Sequence, residues 1–124
     1  MEKKVMARSN VIRGMLRPIV LGELAKGPLH GYLLIKRIRE KFHVYLGPST
    51  MYPALYDLKE AGLIEFDKSC TLFGKGISLN LDSGRPIKVY AITEKGRTAL
   101  ALDLQNLKNI THNLGIGIND ANGQ

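Results

Sequence analysis

Ser49, Thr50, Tyr52, Pro53, Tyr56 and Lys59 fall on one short stretch of the chain. Hydroxyls, phenols and an amine at this spacing make no nucleophile–base pair. They are hydrogen-bonding groups of the kind that meet base edges or phosphate oxygens. Lys36 and Arg37 lie upstream of them, and Lys75, Arg85 and Lys88 downstream; these are cations suited to phosphate. Catalytic patterns are missing: the sequence has no Ser-His-Asp order, paired carboxylates or glycine-rich phosphate loop. His30, His43 and His112 stand in no metal-ligand spacing, and Cys70 is the only cysteine. No enzyme activity, metal or cofactor is therefore expected.

The charge balance points the same way. Eighteen Lys and Arg oppose eleven Asp and Glu over 124 residues, a net charge of +7. The excess sits in the first third, where ten basic residues up to Lys41 face only Glu2, Glu23 and Glu40. Such asymmetry favours a polyanionic partner, a nucleic acid or an acidic membrane surface. The lone cysteine fits a reducing cytosol, and the apolar runs are too short for a signal peptide or a span, so a cytoplasmic protein without membrane association is expected.

Periodicity supplies the elements that must hold these groups. Residues 1–14 read as a basic arm or an irregular helix. Leu16, Ile19, Val20, Leu21 and Leu24 cover most of a helical circumference over 16–25, which places that helix in the middle of a domain. Pro18 is tolerated in its first turn, and Lys26-Gly27-Pro28 stops it. A second helix is predicted over 30–42, with Leu34, Ile35, Ile38 and Phe42 on one face, His30 as its cap and Tyr32 packed locally. A third is predicted to begin at Ser49 or Thr50, whose hydroxyl would cap it, and to run to Ala61 with Pro53 at or beside its first turn. Met51, Leu55 and Leu58 would face inward, leaving Thr50, Tyr52, Pro53, Tyr56 and Lys59 outside, and Gly62 would be the left-handed stop.

Beyond Gly62 the pattern turns strand-like, at 63–66 and 89–92, with Ile77, Leu79 and Leu81 able to add a further strand. Glycines at 74, 76 and 84 mark turns between them. Thr93 caps a last helix whose apolar positions Leu100, Leu104, Leu107, Ile110 and Leu114 form a coiled-coil-like stripe. The fold class expected is α+β, mostly helical: a winged helix-turn-helix with an additional C-terminal dimerisation helix. The domain would span 15–92, with the wing at about 66–88, the dimerisation helix at 93–114 and a frayed tail at 115–124. In such a motif the third helix enters the major groove and the second crosses the backbone. Tyr52 and Tyr56 are then read either as base contacts or as interhelix packing, and Lys59 as a phosphate contact or a solvated side chain.

Four ordered blocks carry a family likeness: Ile19-Val20-Leu21-Gly22-Glu23-Leu24 with Gly27-Pro28-Leu29-His30-Gly31-Tyr32; Gly47-Pro48-Ser49-Thr50-Met51-Tyr52-Pro53-Ala54-Leu55; LKEAGLIE from Leu58 to Glu65; and Gly84-Arg85-Pro86 with Lys88 and Tyr90, leading into Ile92-Thr93-Glu94-Lys95-Gly96-Arg97. Over roughly residues 15–100 the chain resembles the PadR family of transcriptional regulators. The resemblance implies a dimeric repressor that binds double-stranded DNA at near-palindromic operators through its third helix, with Gly-Arg-Pro in the wing and the last helix building the homodimer. It permits a small-molecule effector at the dimer interface without naming one. The segment from Ile64 to Arg85 is longer than the family's usual wing, and Ile87 stands where a second basic residue is common. Leu16, Leu100, Leu104, Leu107, Ile110 and Leu114 are the candidate dimer residues. The competing class is a winged-helix protein–protein module without DNA binding, against which the basic first third and the polar helix face both argue.

Overall fold

The computed structural model describes residues 10–67 and 88–115. Along them run α1 (Asn10–Gly14), α2 (Leu16–Leu24), β1 (Leu29–His30), α3 (Gly31–Phe42), α4 (Pro48–Glu60), β2 (Ile64–Phe66), β3 (Val89–Ile92) and α5 (Glu94–Asn113). Lys75, Arg85, Cys70, the alternating Ile77, Leu79 and Leu81, and the tail from residue 116 lie outside the described residues.

The near-uniform apolarity of α2 has the expected consequence. Ile19, Val20, Leu21 and Leu24 are all buried, and α2 touches α3, α4, α5 and β3. Pro18 sits in the first turn, where its missing N–H has no intrahelical partner to lose. Gly27, at φ +150°, turns the chain out of the helix. Leu34, Ile35 and Ile38 of α3 and Met51, Leu55 and Leu58 of α4 close the core against it.

Three strands, in the order β1-β3-β2, make a small antiparallel sheet. Ile64 pairs with Ile92, Glu65 with Ala91 and Phe66 with Tyr90. On the other edge of β3, Leu29 pairs with Tyr90 and His30 with Val89. Strand β1 was not expected from the sequence. Two residues have no usable period, and they become a strand only because β3 offers an open edge.

The third helix also begins earlier than predicted. Gly47 is its N-cap, extended at φ −88° and ψ 178°, and no side chain caps it. Its carbonyl accepts from the N–H groups of Thr50 (3.0 Å) and Met51 (2.9 Å). Pro48 takes the first helical position, for which its fixed φ is preorganised. Ser49 and Thr50 thus lie within the first turn rather than capping it. Pro53 sits inside the helix, where its missing N–H leaves the Ser49 carbonyl without its intrahelical donor. The far end is as expected. Gly62 is left-handed at φ +80°, and the bonds Gly62 N–H to Lys59 O (2.9 Å) and Leu63 N–H to Leu58 O (3.0 Å) make a Schellman motif.

Between α3 and α4 the loop does more than break a helix. His43 closes α3 in the left-handed region at φ 53°, and Val44 and Leu46 then bury completely while Tyr45 between them stays exposed. That alternation anchors the turn of the helix-turn-helix to the core. Tyr32, expected to pack locally, is instead 66% exposed.

Candidate nucleic-acid interface

α4 presents a mixed polar face. Ser49, Tyr52, Pro53 and Tyr56 are exposed, while Thr50 and Lys59 are half-buried. The tyrosines differ in their surroundings. Tyr56 stands free of the core at 62% exposure. Tyr52 leans across to the start of α3: a Cβ placed on Gly31 would lie 2.7 Å from its hydroxyl oxygen and 2.9 Å from a ring carbon. Interhelix packing is therefore part of the role of Tyr52, whose ring would have to shift to make room for any side chain at 31. Burial pushes the Tyr52 phenol pKa up, so its hydroxyl remains a donor at neutral pH. Tyr90 shifts the same way, from burial and from Tyr52 beside it.

α3 carries Lys36 and Arg37 exposed. Other cations of the basic first third are engaged within the fold. Lys41 Nζ lies 2.6 Å and Lys26 Nζ 3.6 Å from Glu23 Oε2, whose side chain is only 5% exposed. Burial alone would raise the Glu23 pKa. The hydrogen bond from Lys41 and the charges of Lys26, Lys41 and Arg37 outweigh it, and the carboxylate titrates below its ordinary range. Arg17 is committed too, donating from Nε (2.8 Å) and Nη2 (2.5 Å) to the two oxygens of Asp103 and so tying α2 to α5. The sequence shows these basic residues but not which acids claim Lys41 and Arg17, because their partners sit on other helices.

At the root of the two-stranded ribbon, Phe66 of β2 packs on Tyr90 of β3 with ring centroids 5.3 Å apart. Lys59 and Lys88 both place Nζ over the Phe66 ring, at 5.0 and 5.1 Å from its centroid. Two predicted contact residues from different elements are thus brought together. Phe66 itself was not singled out from the sequence, where it reads as an ordinary strand residue.

His30 caps α3 as expected, its Nδ1 accepting from the Leu33 N–H at 3.3 Å. Only the unprotonated nitrogen can accept, and burial lowers the His30 pKa from its ordinary 6.5. The unfolded chain then takes up the proton more readily than the folded one. Stability from this cap is full above the ordinary value and lost as the pH falls through it. As the pH falls from the ordinary 6.5 through the lowered folded value, the cap's contribution, up to about 1 kcal/mol, should disappear. His30→Asn, a cap that does not titrate, is expected to melt with a flatter pH profile in that window; parallel profiles would refute the role.

Along α5, Ala99 and Leu100 pack against the core from one side, as Leu16 does from α2. Every residue from Lys108 to Gly115 is exposed. Leu104, Ile110 and Leu114 are 54%, 53% and 71% exposed, and Leu107 is half-buried. Leu102, also exposed at 58%, lies on the opposite side of the helix from this stripe. Among the described residues no three His, Cys, Asp or Glu side chains gather as a metal site. No described helix is long and apolar enough to cross a membrane.

A core of three helices, the turn that joins α3 to α4 and the antiparallel ribbon after them define a winged helix-turn-helix, α+β and mostly helical. The profile of the transcriptional regulator PadR-like family matches residues 20–102, so the chain belongs to that family. Solved structures share the fold. A PadR-like transcriptional regulator from Bacillus cereus superposes with a TM-score of 0.70 at 23% identity, covering 86% of this chain and 94% of the other. A PadR family transcription regulator from hypervirulent Clostridium difficile gives 0.66 at 25%, covering 82% and 96%. Bacillus subtilis PadR in complex with operator DNA gives 0.57 at 29%, covering 73% of this chain and 45% of that one. Among curated proteins none matches the sequence.

Proposed function

We propose that this transcriptional regulator is a cytoplasmic, sequence-specific DNA-binding repressor that grips near-palindromic operators as a homodimer. The observation that carries the reading is the outward face of α4, polar and partly exposed beside a cationic α3, in the arrangement that places a helix in the major groove. The solved complex of Bacillus subtilis PadR with operator DNA supports it. Ser49, Thr50, Tyr52, Pro53 and Tyr56 supply groups for the groove. Lys36, Arg37, Lys59, Lys75, Arg85 and Lys88 neutralise phosphates. Two copies meet through Leu104, Leu107, Ile110 and Leu114 of α5, with Leu16 and Leu100 at the edge of the seam. The arm (1–14), DNA-binding domain (15–92), dimerisation helix (93–114) and tail divide the chain accordingly.

Anisotropy titration of genomic fragments at two salt concentrations tests this. Six to ten phosphate contacts would cost about 10³–10⁵ in affinity between 50 and 200 mM salt. Binding should favour half-sites about 34–36 Å apart, one helical turn, or a multiple of it. Binding that is absent or indifferent to salt would overturn the proposal.

A further inference from the structure

We infer that Phe66 is a positioning residue, holding Lys59 and Lys88 as a paired contact for the DNA backbone in the cleft between α4 and the root of the wing. This deepens the DNA-binding reading and rests on it.

The two lysines come from different places: Lys59 from the last turn of α4, Lys88 from the residue before β3. Left alone, two ammonium groups on flexible stems would spread apart. Here both lie about one ring-contact distance from the same centroid, 5.0 and 5.1 Å. The π-system of the ring attracts each of them and keeps both near one side chain. The ring is itself fixed, since Phe66 pairs with Tyr90 across the ribbon and packs on it at 51°. Lys26 and Lys41 are paired with Glu23, and Arg17 with Asp103. Among the described residues no carboxylate forms an ion pair with Lys59 or Lys88. A helix in the major groove and a ribbon beside it straddle one phosphate ridge, and a cationic pair between them faces that ridge. Recognition of this kind is independent of sequence and adds affinity to all duplexes alike.

The full-length chain with Phe66→Leu keeps apolar bulk at a half-buried position and removes the ring face. Its affinity for specific and random duplexes should fall by the same factor, about three- to tenfold. The slope of log affinity against log salt should shrink by about one to two, the worth of one or two phosphates. Phe66→Tyr should restore both, and Lys59→Gln with Lys88→Gln should reproduce the loss of slope without touching the ring. Phe66→Leu that lowers only the melting temperature, leaving the salt slope as in the unsubstituted protein, would overturn the inference. So would a doubly substituted lysine variant with an unchanged slope. Failure of the unsubstituted protein to bind any duplex would overturn the DNA-binding reading instead, a result visible before any variant is made.

Discussion

Gly96→Ala is expected to destabilise the protein severely, even though alanine is the better helix former. A Cβ at residue 96 would lie 2.1 Å from the backbone oxygen of Leu63 and 2.8 Å from Cγ1 of Ile92. The first of these neighbours is backbone and cannot swing away. It is also held in place, because Leu63 O accepts from the Thr93 N–H at 3.0 Å. Thr93 Oγ1 donates to Gly62 O at 2.7 Å and accepts from the Gly96 N–H at 3.0 Å. Relieving the contact means lifting the start of α5 off the α4–β2 turn. That breaks the Thr93 cap, worth about 1 kcal/mol, and both bonds to the turn. It also opens the buried layer around Leu63 and Ile64. The gain in helix propensity is only about 1 kcal/mol. A net loss of about 3–5 kcal/mol follows, against a total that for small domains is about 5–15. Thermal unfolding followed by circular dichroism should show a fall of more than about 12 °C in melting temperature. An unchanged or raised value would mean that the turn and α5 are not packed as described.

The second large effect is expected on assembly rather than folding. Leu104 and Ile110 expose more than half of their surface on a helix whose last turns, from Lys108 to Gly115, are exposed throughout. Glutamate at both positions should leave the melting temperature of the winged domain nearly unchanged. Facing a second copy, those charges would be buried without partners, and the dimer should dissociate. Sedimentation equilibrium should then report a monomer. Affinity for a two-half-site duplex should fall by about 10²–10⁴, the avidity that linkage of two readers provides, while affinity for a single half-site stays the same. A double variant that remains dimeric and binds normally would remove α5 from the interface.

Much of this architecture was legible because the signals are local. His30, Gly27, Gly62 and Thr93 announce helix ends through chemistry that acts within one turn. The apolar spacing in α2, α3 and α4 names the core residues, since a helix can bury only the face its period assembles. The polar face of α4 follows from the same spacing by subtraction. Its start was misplaced because Ser49 and Thr50 are good caps in general, whereas here Pro48 begins the helix ahead of them and Gly47 supplies the capping carbonyl.

Residue types and spacing by themselves determined the order of elements, the helical core, the basic bias of the first third and the polar face of the third helix. Tertiary structure alone decided which of those groups are available. It paired Glu23 with Lys26 and Lys41, and Arg17 with Asp103, removing three cations from the pool that a count of basic residues suggests. It recruited Leu29 and His30 as a strand, pressed Tyr52 against Gly31 and gathered Lys59 and Lys88 on Phe66. Caps and periods report interactions a few residues apart. Apart from Glu23–Lys26 and Lys59–Phe66, these contacts join residues 18 to 86 positions apart, and their partners are chosen by how the helices and the sheet pack.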